Sequence, residues 1–231
     1  MVSLDALRTR LGKMTDRILF RLEDRSGFPL NAPVYEPGAV PLFGREGISF
    51  LEFAVQGLET YHASLGRYEY PDQHALTRLA LPGSGARREV GIPALPHVDI
   101  DFTDRLFRFY RDDVLPRLCE PADDPNTYGE TAYLDADLLE LIHERINVGR
   151  YVARAKFDSE PGIRAADLTA EQLIVLLRDP AQEERIVEGV RDGARRFGVD
   201  VDVAELVFRW VIEQTISVEV EYLRGLSSTV L

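Results

Sequence analysis

The sequence predicts an all-α single domain over residues 1–231, a bundle of about six to eight helices. Two observations predict it. Apolar residues recur at steps of three and four along most of the chain, and no period-2 alternation beats that helical spacing. Helix start and stop signals fall where those periodic stretches begin and end. No internal repeat suggests a second unit.

Taken in order, Leu4, Leu7, Leu11, Met14, Ile18 and Leu22 form an amphipathic stripe about six turns long. Gly27 and Pro29 end it, and prolines 29, 33, 37 and 41 exclude helix or central strand beyond. Ser49-Phe-Leu-Glu52 is a capping box that opens a second helix running to about Gly66. From Pro71 to Pro96 the chain is rich in Pro and Gly, with Arg87-Arg88 at its middle. This reads as a surface excursion centred on residues 73–98. A third helix covers Thr103 to Cys119, bent or ended by Pro116. A fourth runs from Thr131 to Phe157. Thr169-x-x-Gln172 opens a short fifth, and Asp179-Pro180 supplies N-cap and first residue of a sixth. Gly198 stands at the C-cap of that sixth helix, and a last helix spans Val203 to Leu223.

Composition excludes several classes. There are 27 Lys+Arg against 39 Asp+Glu, a formal net charge of −12, which disfavours nucleic acid and anionic membrane surfaces as partners. No apolar run approaches the length of a membrane span. The N-terminal residues carry Asp5, Arg8 and Arg10, so no apolar leader stretch is expected there. The single cysteine, Cys119, packs near a helix end in this reading and cannot form an internal disulfide, which suits a reducing cytoplasm. Histidines 62, 74, 97 and 143 lack metal-ligand spacing, and Trp210 reads as core. Of the 27 basic residues two are lysines, Lys13 and Lys156, leaving 25 arginines. A lysine retained against that bias is a candidate for a role that arginine does not fill.

Three polar pairs share a helix face. Arg145 and Lys156 lie 11 apart, three turns with about 20° of residual rotation at ~100° per residue. Asp179 and Glu183 are spaced i,i+4, as are Thr215 and Glu219. Each pair has a plain structural alternative. Arg145 and Lys156 fit a solvated stripe, and Asp179 fits an N-cap with Glu183 favoured by the helix dipole. Thr215 and Glu219, beside Ile212, Ile216 and Val218, fit an exposed face. Spacing alone does not choose.

Longer stretches carry a resemblance. They include Leu-Arg-Thr-Arg-Leu (7–11), Arg-Ser-Gly-Phe-Pro (25–29), Pro-Val-Tyr-Glu (33–36) and Arg-Tyr-Glu-Tyr-Pro-Asp (67–72). The later ones are Arg-Ile-Asn-Val-Gly-Arg-Tyr-Val-Ala-Arg-Ala-Lys-Phe (145–157) and Glu-Val-Glu-Tyr-Leu (219–223). In that order, from Leu4 to Leu226, the chain resembles the all-helical chorismate mutases of the fungal and plant type. Residues 73–98 match least. The resemblance implies that Arg8 and Arg145 grip the substrate's carboxylates and that Lys156 meets its ether oxygen. Asp179 and Glu183 would face the ring hydroxyl, with Thr215 and Glu219 completing the pocket. The well-studied fungal enzyme of that family carries Asn where this chain has Asp179.

The implied reaction, chorismate to prephenate, is a one-step Claisen rearrangement needing neither metal nor cofactor. The enzyme must hold a flexible dianion in its compact diaxial form and stabilise charge growing on the ether oxygen. Guanidinium forks suit the first task, and preorganised donors suit the second. A carboxylate aimed at the ether oxygen would repel it, so Glu219 is expected to act protonated.

The resemblance also implies a homodimer. It weakens at the fungal effector site, where an Arg-Arg pair reads Gly66-Arg67 and Gly-Ser-x-x-Thr reads Gly129-Glu130-Thr131-Ala132-Tyr133. Little or no control by aromatic amino acids is therefore expected. Alternatives on the same fold are a 4-amino-4-deoxychorismate mutase, an isochorismate pyruvate-lyase, and a non-catalytic helical binding protein. Compatible chemistry at all seven polar positions argues against the last.

Overall fold

A computed structural model describes residues 3–42, 44–45, 47–70, 72–85, 93–160, 162–163 and 168–229, with no side-chain description at 227–229. Among these residues the chain is all helical, without a strand. Helix α1 is Leu4–Ser26, capped by the Ser3 side chain, and α2 is Phe50–Ser64, opened by the complete Ser49/Glu52 capping box. The third helix begins as Thr103–Phe109, widens into a π-helical turn at Tyr110–Val114 and resumes at Leu115–Leu118, together α3. Pro116 thus neither ends the helix early nor simply bends it. The ring has no N–H to donate and would crowd the carbonyl one turn back; the wide turn just ahead of it relieves this.

The expected fourth helix is two helices. Helix α4 is Tyr128–Asn147 and α5 is Gly149–Ser159, divided at Val148. The division sits where α5 meets the final helix closely. A Cβ on Gly149 would lie 3.0 Å from Thr215 Cγ2 and 3.1 Å from the Thr215 carbonyl oxygen. Helix α6 is Ala170–Leu177 with the Thr169/Gln172 capping box in place, and α7 is Pro180–Phe197. Gly198 ends α7 in the left-handed region at φ 83°, as its residue type foretold. Helix α8 is Val201–Thr229, longer at both ends than its apolar stripe suggested.

Helix α8 packs against α4, α5, α6 and α7, while α1 packs against α4, α5 and α7. One principal apolar cluster draws residues from every helix, with Ile18, Leu106, Leu138, Val190 and Phe208 fully enclosed. Within it lies a buried charge pair, Arg25 and Asp135, joined at 2.7 Å. Arg25 also donates to the carbonyls of Phe28 and Leu30, and the hydroxyls of Tyr35 and Tyr110 both donate to Asp135. Two of the recognisable stretches, 25–29 and 33–36, are therefore there for the core. Their arginine and tyrosine satisfy a buried carboxylate that would otherwise be costly.

The excursion after α2 is tied down where it is described. Glu59, fully buried, accepts the backbone N–H of Leu76 and of Thr77 together with the Thr77 hydroxyl. Farther on, Arg150 donates to the carbonyls of Val98 and Ile100, and the Tyr151 hydroxyl to that of Pro93. Leu76 is itself core. Arg87 and Arg88 lie outside the described residues. Cys119 is buried at the end of α3, its thiol pushed up to about 11 by burial. Lys13 is exposed. Trp210 stacks on Phe109 with centroids 4.3 Å apart and packs against the core.

Candidate active site

A pocket of about 460 Å³ opens between α1, the C-terminal end of α4, α5, the turn joining α6 to α7, and α8. Arg8, Arg145, Lys156, Asp179, Glu183, Thr215 and Glu219 all line it. The fold thus brings together seven residues drawn from five helices and one interhelix turn. Leu7, Leu11, Val152, Ile186, Ile212 and Ile216 give it apolar walls. These apolar positions were legible as helix stripes, but nothing in the stripes marks which members face a cavity.

Arg145 is 3% exposed and has no carboxylate partner among the described residues. Its Nε approaches the Thr15 hydroxyl oxygen at 3.4 Å, and its guanidinium lies 5.2 Å from the Phe208 ring centroid. Burial alone lowers its pKa to about 10. An enclosed cation without an anion is costly, and it is an open seat for one. The solvated-stripe reading of Arg145 is excluded by that burial. Arg8 differs. It sits at the pocket mouth, about half exposed, paired with Asp5 at 3.2 Å. Such an exposed pair holds loosely and can exchange for a ligand carboxylate.

Lys156 reaches across from α5. Its Nζ donates to the Leu177 carbonyl at 2.6 Å and to Glu219 Oε2 at 3.0 Å. An ammonium carries three protons. With two directed to fixed acceptors, the geometry leaves one for the pocket. The Leu177 carbonyl belongs to the last turn of α6, one of the unpaired carbonyls of a helix end.

Glu219 is 3% exposed, and its carboxyl is raised to about 7. Burial is the main cause and the charge of Glu183 adds to it, while Lys156 acts in the opposite sense. Thr215, one turn earlier, donates its hydroxyl to the Val211 carbonyl at 2.7 Å. That bond fixes the rotamer and leaves the hydroxyl oxygen as an acceptor.

At the opposite end Asp179 caps α7, its Oδ1 accepting the Gln182 N–H at 3.0 Å. Asp179 thus caps the helix and lines the pocket as well. Glu183 presents a buried Oε1 with no hydrogen-bond partner, while its Oε2 lies 3.6 Å from the Arg178 guanidinium. Arg178, Gln182 and Glu160 also line the pocket and were not singled out from sequence. No spacing rule marks Arg178, which lies in the turn between two helices.

The lining therefore holds four cations (Arg8, Arg145, Lys156, Arg178) and four carboxyls (Glu160, Asp179, Glu183, Glu219) in a chain of net charge −12. With Glu219 protonated the pocket is net positive. An all-α scaffold that encloses a guanidinium without a carboxylate partner beside a carboxyl raised to about 7 defines a site for a small organic anion. The type II chorismate mutase profile matches residues 127–220. Chorismate mutase 2 of Arabidopsis thaliana is 32% identical, the match spanning 96% of this chain and 92% of that relative. Chorismate mutase of Schizosaccharomyces pombe is 28% identical over 96% and 95%. Among solved structures, AtCM1 with tyrosine in its allosteric site superposes with a TM-score of 0.83 at 32% identity, over 96% of this chain and 95% of that one. The chain belongs to the type II chorismate mutase family.

Proposed function

We propose that this protein is a chorismate mutase, an isomerase that rearranges chorismate to prephenate in the pocket described. The observation that carries the reading is Arg145, an enclosed guanidinium awaiting an anion, 11 residues before a lysine paired to a raised carboxyl. Arg145 and Arg8 take the two carboxylates, folding the enolpyruvyl side chain over the ring. Holding the reactive conformer supplies part of the barrier reduction, up to ~7–11 kcal/mol in favourable cases. Lys156 and protonated Glu219 then converge on the ether oxygen, where charge grows as its C–O bond breaks and the new C–C bond forms. Glu183 accepts the ring hydroxyl, beside Asp179. No covalent intermediate and no proton transfer to substrate are required.

The carboxyl of Glu219 has a pH signature. The competent form is protonated, and its fraction falls as pH rises through about 7. A bound dianion pushes that midpoint higher still. Activity is therefore expected to decline from neutral pH upward, and Glu219→Gln, which donates at every pH, to flatten the curve. The kcat profile from pH 5 to 9 reads this directly, and an unchanged profile in the Gln variant would refute the assignment.

Turnover itself is measured as loss of chorismate absorbance by the purified chain, run beside 4-amino-4-deoxychorismate. Two carboxylates at the ring end would also tolerate an ammonium, which keeps the amino analogue as a second reading. Absence of turnover of either would favour the binding-protein reading. Residues 1–231 as a single domain are supported by the principal apolar cluster, which draws on all the helices.

A homodimer is supported by the large apolar side chains exposed on α2 and α4, among them Phe53, Tyr61, Leu65 just past α2, and Tyr133. Residence in the cytoplasm rests on the lone buried cysteine, and relatives include both chloroplastic and cytosolic proteins. No helix among the described residues is long and apolar enough to cross a membrane. Little or no control by aromatic amino acids is supported by Arg67 being engaged with Glu140 and Glu144, and by Tyr133 standing half exposed at the effector-site position. Tenfold activation by tryptophan in the same assay would overturn it.

A further inference from the structure

Arg178 lines the pocket yet has no part in gripping carboxylates or meeting the ether oxygen. It follows the last turn of α6 and immediately precedes Asp179, its own N–H donating to the Ile174 carbonyl at 3.0 Å. One guanidinium nitrogen lies 3.6 Å from Glu183 Oε2, and another pairs with Glu213 on α8. The fork thus ties the α6–α7 turn to α8 and approaches Oε2 of Glu183, not its unpartnered Oε1.

The consequence is chemical. Glu183, a residue of the cavity wall, has one oxygen beside a cation and the other buried and unpaired. A carboxylate held this way is a single acceptor, matched to one O–H donor. An ammonium at the same place brings a full positive charge and three donors. It would meet a carboxylate whose charge is already partly offset by Arg178, a guanidinium that Glu183 shares with Glu213. Like charges at such range in a half-enclosed pocket disfavour the ligand by a clear margin. Asp179 has its Oδ1 engaged by the helix it caps, which leaves Oδ2 as its acceptor for a ligand.

We infer that Arg178 sets substrate choice at the ring end of the pocket, holding Glu183 as a hydroxyl acceptor and disfavouring an ammonium there. The inference rests on the chorismate reading above and makes Arg178 a positioning residue that acts through Glu183. It also decides between the two substrates that the paired carboxylates leave open.

The test compares kcat/KM for chorismate and for 4-amino-4-deoxychorismate in the unaltered chain, Arg178→Ala and Arg178→Lys. The side chain is only half buried, so both variants are expected to fold, which circular dichroism verifies. In Arg178→Ala the ratio of chorismate to amino-analogue efficiency is expected to fall by about tenfold, the scale of one charge-assisted contact. Arg178→Lys keeps the charge and is expected to recover most of the ratio. An equal loss on both substrates would show that Arg178 merely braces the turn and would overturn the inference. So would a Lys variant indistinguishable from Ala. An unaltered chain that turns over neither substrate removes the chorismate reading and this inference with it. Normal turnover with an unchanged ratio removes the inference alone.

Discussion

Replacing Lys156 by arginine is expected to lower kcat by about 10²–10³-fold, the cost of losing one preorganised donor at a developing oxyanion. Two effects act together. The Nζ of Lys156 is fixed by the Leu177 carbonyl at 2.6 Å and Glu219 Oε2 at 3.0 Å, so its remaining proton has a defined direction. A planar guanidinium cannot reproduce a single charge aimed at a single atom from the same backbone position. It would also bind the Glu219 carboxylate as a two-pronged fork and hold it ionised. The variant would then lose one donor and convert the second into a repelling charge. Its residual activity should rise steeply as pH falls, because protonating Glu219 repairs half of the defect. The charge is conserved and Lys156 is partly exposed, so the fold should survive. Steady-state kinetics with circular dichroism decide it, and wild-type turnover in the arginine variant would sink the Lys156 assignment.

Arg145→Met should separate binding from stability. The guanidinium is buried with no carboxylate partner among the described residues, so its charge is desolvated without an ion pair in return. A thioether of similar length fills the same space beside Phe208 and removes the desolvation cost. Thermal stability is therefore expected to stay level or rise. Efficiency should fall in the opposite direction. Losing one side of a buried, charge-paired hydrogen bond to a substrate carboxylate costs roughly 2–5 kcal/mol, about 30-fold to a few thousand-fold in kcat/KM. The pair of outcomes is the informative result. A variant that melts several degrees earlier yet keeps its kcat/KM would show that Arg145 serves the core, not the substrate.

So acidic a chain can handle a dianion because charge is sorted in space. Folding gathers Arg8, Arg145 and Lys156 on one cavity and shields Glu219 until it takes up a proton. Other arginines are engaged in surface and interhelix pairs. Arg191 with Glu205 and Arg196 with Asp16 are examples, each of small worth singly.

Helices and their ends could be read from the chain alone. Ser49, Thr169, Asp179 and Gly198 act through hydrogen bonds and backbone dihedrals a few residues away, so their effects are legible locally. The seven polar positions of the pocket were likewise legible, though only because longer stretches resembled a known family. Spacing left Arg145 and Lys156 equally suited to a solvated stripe. Packing in three dimensions settled what local pattern cannot express. The α4–α5 break at Val148 accompanies the approach of Gly149 to Thr215 on a helix far along the chain. The raised carboxyl of Glu219 comes from burial and from Glu183, and Lys156, which opposes the rise, lies 63 residues away in sequence. Arg178 gained its place through Glu183 and Glu213, contacts that no periodicity encodes. Helix ends are set by neighbours in the chain, whereas burial and charge pairing are set by neighbours in space.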